Sequence, residues 1–176
     1  MTGAAQDYFV LFELPRRFAI DGSELERRYR ELQSKVHPDK HAHLGDSERR
    51  LAMEWATEAN AAFKTLKDPL QRAVYLLHLA GQDVAFENNT SMPSGFLIEQ
   101  MELREAVADA RAAGEESALE RLRADLKSRM TAQYASLGTM LDEHKDYAAA
   151  ADMARRLMFQ EKLLQEIDDA QEAIEA

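Results

Sequence analysis

The chain has 176 residues, 45% of them hydrophobic and 31% charged, which suits one packed domain or two small ones and leaves no room for a large enzyme. It contains no cysteine, so disulfides, thiolate zinc sites, iron–sulfur ligation and thiol nucleophiles are excluded. The net charge of −10 is unevenly spread: residues 1–80 hold 12 basic and 12 acidic side chains, residues 81–176 hold 10 and 20.

An acidic chain without a basic tract repels phosphate backbones, so nucleic acid is not an expected partner. The charge asymmetry points to two units with different surfaces. The longest apolar runs, such as Ala73 to Leu77, fall far short of the roughly 20 residues of a membrane span. No basic and apolar leader pattern opens the chain, and a cytoplasmic protein is expected.

In chain order, Pro15 closes a short apolar segment from Asp7 to Leu14. Asp21 or Ser23 is placed to cap a helix whose Leu25, Tyr29, Leu32 and Val36 share one face. Pro38 stops that helix by Val36 or His37, and residues 37–46 read as a loop. Asp46 or Ser47 opens the next helix, which should carry Leu51, Trp55, Ala59, Ala62, Phe63 and Leu66 inward. Asp68-Pro69 reads as a cap with proline at the first helical position, starting a short helix that Gly81 ends. Residues 81–95 read as a linker.

Three long helical patterns follow: Phe96 to about Ala113, Glu115 to about Leu137, and about Asp146 to Ile174, with Gly114 and the stretch Gly138 to Lys145 as turns. Alternating β-branched segments are missing, so the fold class is all-α. Leu119, Leu122, Leu126 and Met130 read as plain core.

The first of these helices has two apolar faces. At 100° per residue, Phe96, Leu103, Ala106, Val107 and Ala110 gather on one side, and Leu97, Ile98, Met101 and Glu105 nearly opposite. A helix in a three-helix bundle needs one core face. The second is either packed between the two units or exposed for a partner. In the last helix Met153, Leu157, Leu164 and Ile167 form the expected core stripe, with Phe159 and Leu163 outside it.

The most informative stretch is His37-Pro38-Asp39, between two amphipathic helices. Pro38 fixes φ, while His37 and Asp39 offer a donor and an acceptor to a partner. The helix before it carries Arg27, Arg28, Arg30 and Lys35 away from its core face, either as a steering patch or as an ordinary solvated face shared with Glu24, Glu26 and Glu31. His37, Asp39, His41 and His43 crowd seven residues, but a loop interrupted by Lys40 is a poor tetrahedral cage. No metal or cofactor is expected. His78 and His144 lack patterned partners, and phosphate loops and nucleophile elbows are missing.

Residues 7–77 resemble a J domain, and DYFVLFELP, LQSKVHPD and ANAAFKTLKDPLQRAVYLL are more specifically similar to the HscB family, J-type co-chaperones of bacterial iron–sulfur cluster assembly. FLIEQMELREA at 96–106 and RRLMFQEKL at 155–163 carry the resemblance onward. At His41 the family usually has an aromatic residue. The resemblance implies a J domain at 1–80, a linker at 81–95 and a scaffold-binding three-helix bundle at 96–176. It implies that His37, Pro38 and Asp39, with Arg27, Arg28, Arg30 and Lys35, engage the DnaK-type chaperone HscA and stimulate its ATPase. It further implies that Leu97, Ile98, Met101, Glu102, Glu105 and Phe159 bind the scaffold protein IscU. The chain itself would be no enzyme. The competing reading is an interaction adaptor with a J-like fold uncoupled from any chaperone.

Overall fold

The computed structural model describes residues 7–36, 45–84 and 92–175. His37, Pro38 and Asp39, the rest of the loop through 44, and residues 85–91 of the expected linker lie outside the described residues. Every regular element among the described residues is helical, and none of those helices is long and apolar enough to cross a membrane. The chain forms two compact units, Met1–Leu76 and Leu77–Ala176.

In the first unit, α1 (Tyr8–Leu11) is capped by Asp7, whose carboxylate accepts from the Phe9 N–H at 2.9 Å. Asp21 begins α2 (Gly22–Val36) by accepting from the Ser23 N–H at 2.9 Å and the Ser23 hydroxyl at 2.6 Å. In α3 (Asp46–Lys67) the Glu48 carboxylate reaches back to the Gly45 N–H at 3.3 Å. Asp68 caps α4 (Pro69–Leu79) through the Gln71 N–H at 2.8 Å, and Gly81 ends it at φ 77°.

Helices α2 and α3 form an antiparallel hairpin, since Glu26 meets Lys67 at 3.2 Å while Tyr29, further along α2, meets the earlier Asn60 at 2.6 Å. Phe9, Phe12, Leu25, Ala59, Ala62, Leu66, Leu70 and Ala73 are its core. Tyr75 of α4 stacks on Tyr8 at 4.5 Å between ring centroids and accepts the Tyr8 N–H at 3.0 Å, tying α1 to α4. Two residues expected inside are not: Leu51 is 55% and Trp55 41% exposed. Both lie at or beyond the level where the described part of α2 ends. Val36, the last described residue of α2, lies about 10 Å beyond Tyr29 at 1.5 Å per residue, level with the neighbourhood of Trp55, and on the turn of Leu51 it is Ala52 that is buried.

The second unit is a three-helix bundle of α5 (Ser94–Ala113), α6 (Glu116–Thr139) and α7 (Tyr147–Glu175). Ion pairs give its topology. Arg104 of α5 meets Glu166 of α7 at 2.9 Å, and Phe96 meets Phe159 edge-on at 5.9 Å, so these helices run parallel. Arg123 meets Asp168 at 2.5 Å and Tyr134 bonds Glu161, so α6 runs against α7.

Gly114, at φ 67°, closes α5. The expected turn from Gly138 is shorter than read: α6 continues through Thr139 into a π-helical turn, Met140–His144, and the chain reverses at Lys145, φ 55°. Buried Leu137 and Leu141 hold Gly138 in helix despite its poor propensity.

Leu163 also departs from expectation, being 1% exposed, while Met153 and Leu164 are half-buried. Since α7 faces both other helices, its buried arc is wide, with Leu157 and Leu163 about 120° apart on it at 100° per residue. Ala150, Ala151, Ala154 and Ala170 line the same arc and allow close helix approach.

Candidate functional site

The α2 face and the α5 face are held in different ways. On α2, Arg27 is bound to Glu24 at 2.6 Å and to Glu31 at 2.5 Å; Arg28 meets Glu24 at 2.9 Å and also Glu13; Arg30 meets Glu26 at 3.3 Å. The Arg27 guanidinium, and then that of Arg28, hold the Glu24 carboxyl below its ordinary value through these hydrogen bonds. The Glu24 hydrogen bond in turn raises Arg27. Lys35 is exposed near the end of the helix. Arg27, Arg28 and Arg30, expected to face a chaperone, therefore sit in a ladder of exposed and half-exposed ion pairs, each of small net strength and open to exchange of partners. His37, Pro38 and Asp39, which follow directly on α2, lie outside the described residues.

On α5 the two faces expected from helical angle differ in exposure, with Leu103 and Ala106 of the inner one half-buried. Phe96, Val107 and Ala110 are buried, joined by Gln100 at 2% exposure. Gln100 was not among the expected core residues; its spacing of four from Phe96 was the available signal. On the other side Met101 is 70% and Ile98 56% exposed, Glu102 and Glu105 are exposed, and Leu97 is half-buried at the edge.

Phe159 is half-buried on α7, against Phe96. The Arg156 guanidinium stands over the same Phe96 ring at 5.3 Å. Arg104 and Phe96 mark the α5 flank nearest α7, and Leu97 follows next to it around the helix. Leu97, Ile98, Met101, Glu102 and Glu105 thus form one continuous strip with an apolar centre and an acidic border, and Phe159 adjoins the buried edge of the same helix pair. Among the described residues no group of three or more His, Asp or Glu side chains is arranged to hold a metal ion.

Residues 92–168 match the family described as the HSCB C-terminal oligomerisation domain. A co-chaperone protein HscB homolog from Aromatoleum aromaticum is 54% identical over 170 residues, covering 97% of this chain and 96% of its own. Chaperone HscB from Vibrio cholerae superposes with a TM-score of 0.86 at 37% identity, covering 96% of this chain and 99% of that one. The human co-chaperone protein HscB gives 0.89 at 29% identity, with coverage of 95% and 83%. Identity at this level over nearly the full length of both chains, on one shared architecture of J domain and helical bundle, means that the chain belongs to the HscB family of co-chaperones.

Proposed function

We propose that this co-chaperone binds the iron–sulfur scaffold protein IscU through its C-terminal bundle, delivers it to the DnaK-type chaperone HscA, and stimulates that chaperone's ATPase. The observation that carries the reading is the α5 strip: Ile98 and Met101 are exposed on a helix whose opposite face already completes the core of its bundle. Exposed apolar side chains bordered by charge suit a partner surface, where a few such residues dominate the binding energy.

Residues 1–80 are read as the J domain, 81–95 as the linker and 96–176 as the scaffold-binding bundle. His37, Pro38 and Asp39 act on the chaperone, with Arg27, Arg28, Arg30 and Lys35 orienting the encounter. Bond cleavage takes place in the chaperone, so the chain has no catalytic residues of its own. Action in the cytoplasm is part of the proposal.

The deciding experiment is His37→Gln in a single-turnover ATPase assay with HscA. The variant should fold, bind the scaffold as before and give no stimulation. Substantial stimulation by the folded variant would overturn the co-chaperone mechanism, and full stimulation with no scaffold binding by the wild type would overturn the delivery step.

A further inference from the structure

We propose that Met101 is an oxidation site at which a hydroperoxide switches off the apolar α5 face; the switch rests on the scaffold-binding reading above. Met101 is the most exposed large apolar side chain among the described residues, at 70%. Of the other described methionines, Met92 and Met130 are buried at 8% and 6%, and Met140, Met153 and Met158 are half-buried. Only Met53, at 62%, is comparably open. Susceptibility of a thioether follows access of the oxidant to sulfur, so these two should react first.

The reaction is a two-electron oxygen transfer. The Met101 sulfur lone pair attacks the terminal, protonated peroxide oxygen, an S–O bond forms as the O–O bond breaks, and the proton of the transferred oxygen passes to the departing oxygen, which leaves as water or an alcohol. Sulfur is oxidised and the peroxide reduced. The product carries a polar oxygen at the centre of the strip. One turn away, Leu97, Ile98 and Glu105 offer it no donor, and the Arg104 guanidinium is directed at Glu166, at 2.9 Å, and at the Gln100 carbonyl, at 3.5 Å. Docking a partner here would bury that oxygen unpaired, which should weaken binding about tenfold or more. A thiol-dependent methionine sulfoxide reductase would reverse the change.

Met53 is the built-in control. It projects from α3 among Arg49, Arg50, Glu54 and Thr57 and is not one of the residues proposed to bind either partner. The test treats Met53→Leu and Met101→Leu with limiting hydrogen peroxide, maps sulfoxide by peptide mass, and measures IscU affinity of each before and after treatment. Met53→Leu should gain sulfoxide at Met101 ahead of Met140, Met153 and Met158, keep its helical circular dichroism, lose about tenfold in affinity, and recover it with the reductase. Met101→Leu should keep whatever affinity it starts with.

Equal losses in both variants, or unchanged affinity once Met101 is oxidised, would overturn the switch and leave the functional reading standing. Absence of IscU binding by the untreated wild type would overturn the functional reading and the switch with it. Slower oxidation of Met101 than of the half-buried methionines, read on the protein alone, would overturn the site itself.

Discussion

Tyr29 of α2 lies flat on Phe63 of α3, with ring centroids 4.0 Å apart and planes 10° from parallel. Its hydroxyl donates to Asn60 Oδ1 at 2.6 Å and accepts from the Gln33 amide at 2.6 Å. Phe12 meets the same ring edge-on at 6.4 Å. One side chain thus joins the segment after α1 to both arms of the hairpin. It does so seven residues before the end of α2, the helix that leads into His37-Pro38-Asp39.

Tyr29→Phe should keep the stack and lose only the hydroxyl bridge, at a cost of about 0.5–1.5 kcal/mol. Tyr29→Ala loses the ring contacts too and should cost roughly 2–4 kcal/mol. In a unit of this size each kcal/mol corresponds to about 4–8 °C of melting temperature, so thermal unfolding separates the two variants. The Ala variant should also stimulate the chaperone poorly while still binding the scaffold, because its damage falls in the first unit. Equal stability of the two variants would mean that the stack contributes nothing.

Acid should loosen α2 at its start. The Asp21 carboxyl lies below its ordinary value, first through the Ser23 hydroxyl, then through the Ser23 and Glu24 N–H groups. The folded state therefore binds its proton less readily than the unfolded chain does. The contribution is fully present above the ordinary aspartate range near pH 4 and is lost as pH falls through the lower folded value. Asp21→Asn retains a capping oxygen and removes the titration. Its stability between pH 5 and about pH 3, followed by denaturant unfolding, should fall less steeply than that of the wild type.

Local signals were legible wherever one residue's chemistry decides the backbone. Asp21 and Asp68 as caps, and Gly81 and Gly114 in the left-handed region, follow from donors, φ limits and a missing Cβ. What periodicity cannot carry is the extent of a partner. Leu51 and Trp55 occupy the inward angles of α3, yet both lie at or beyond the level where the described part of α2 ends, and there it is Ala52 that is buried. Likewise one stripe on α7 does not tell that two helices pack against it, so Leu163 reads as outside the stripe and proves buried. The α5 strip was legible because a second apolar face on a bundle helix is an anomaly of angle alone. The pairing of Arg27 and Arg28 with Glu24 depends on side-chain rotamers that composition does not specify.

Because Arg27, Arg28 and Arg30 are each engaged by neighbouring carboxylates, the field they project onto a chaperone is reduced. Wild-type association with HscA should therefore slow only modestly as salt rises from about 0.05 to 0.5 M, where screening lengths fall below about 10 Å. Replacing Glu24 and Glu31 together by Gln unmasks Arg27 and removes one of the two carboxylates on Arg28, and the association rate at low salt should rise and its salt dependence steepen. Stopped-flow association rates at several salt concentrations read both. A wild-type rate as steeply salt-dependent as that of the double variant would show that the ion pairs do not shield the face.

The α5 strip and Phe159 should separate by stability. Ile98 and Met101 are 56% and 70% exposed, so replacing both by Ala removes little from the core and should move unfolding free energy by no more than about 0.5 kcal/mol each. If they anchor the scaffold, the same pair of substitutions should weaken IscU binding by roughly 2–4 kcal/mol. Phe159 differs because it is half-buried and packs edge-on against Phe96. Phe159→Ala should cost about 1–3 kcal/mol of stability by opening a gap beside Phe96. It should weaken binding as well, since Leu97 follows Phe96 on α5 and loses its support. Calorimetric titration and thermal melting on the same samples give both axes. Unchanged IscU affinity in the Ile98, Met101 double variant would remove the strip from the interface, whatever Phe159 does.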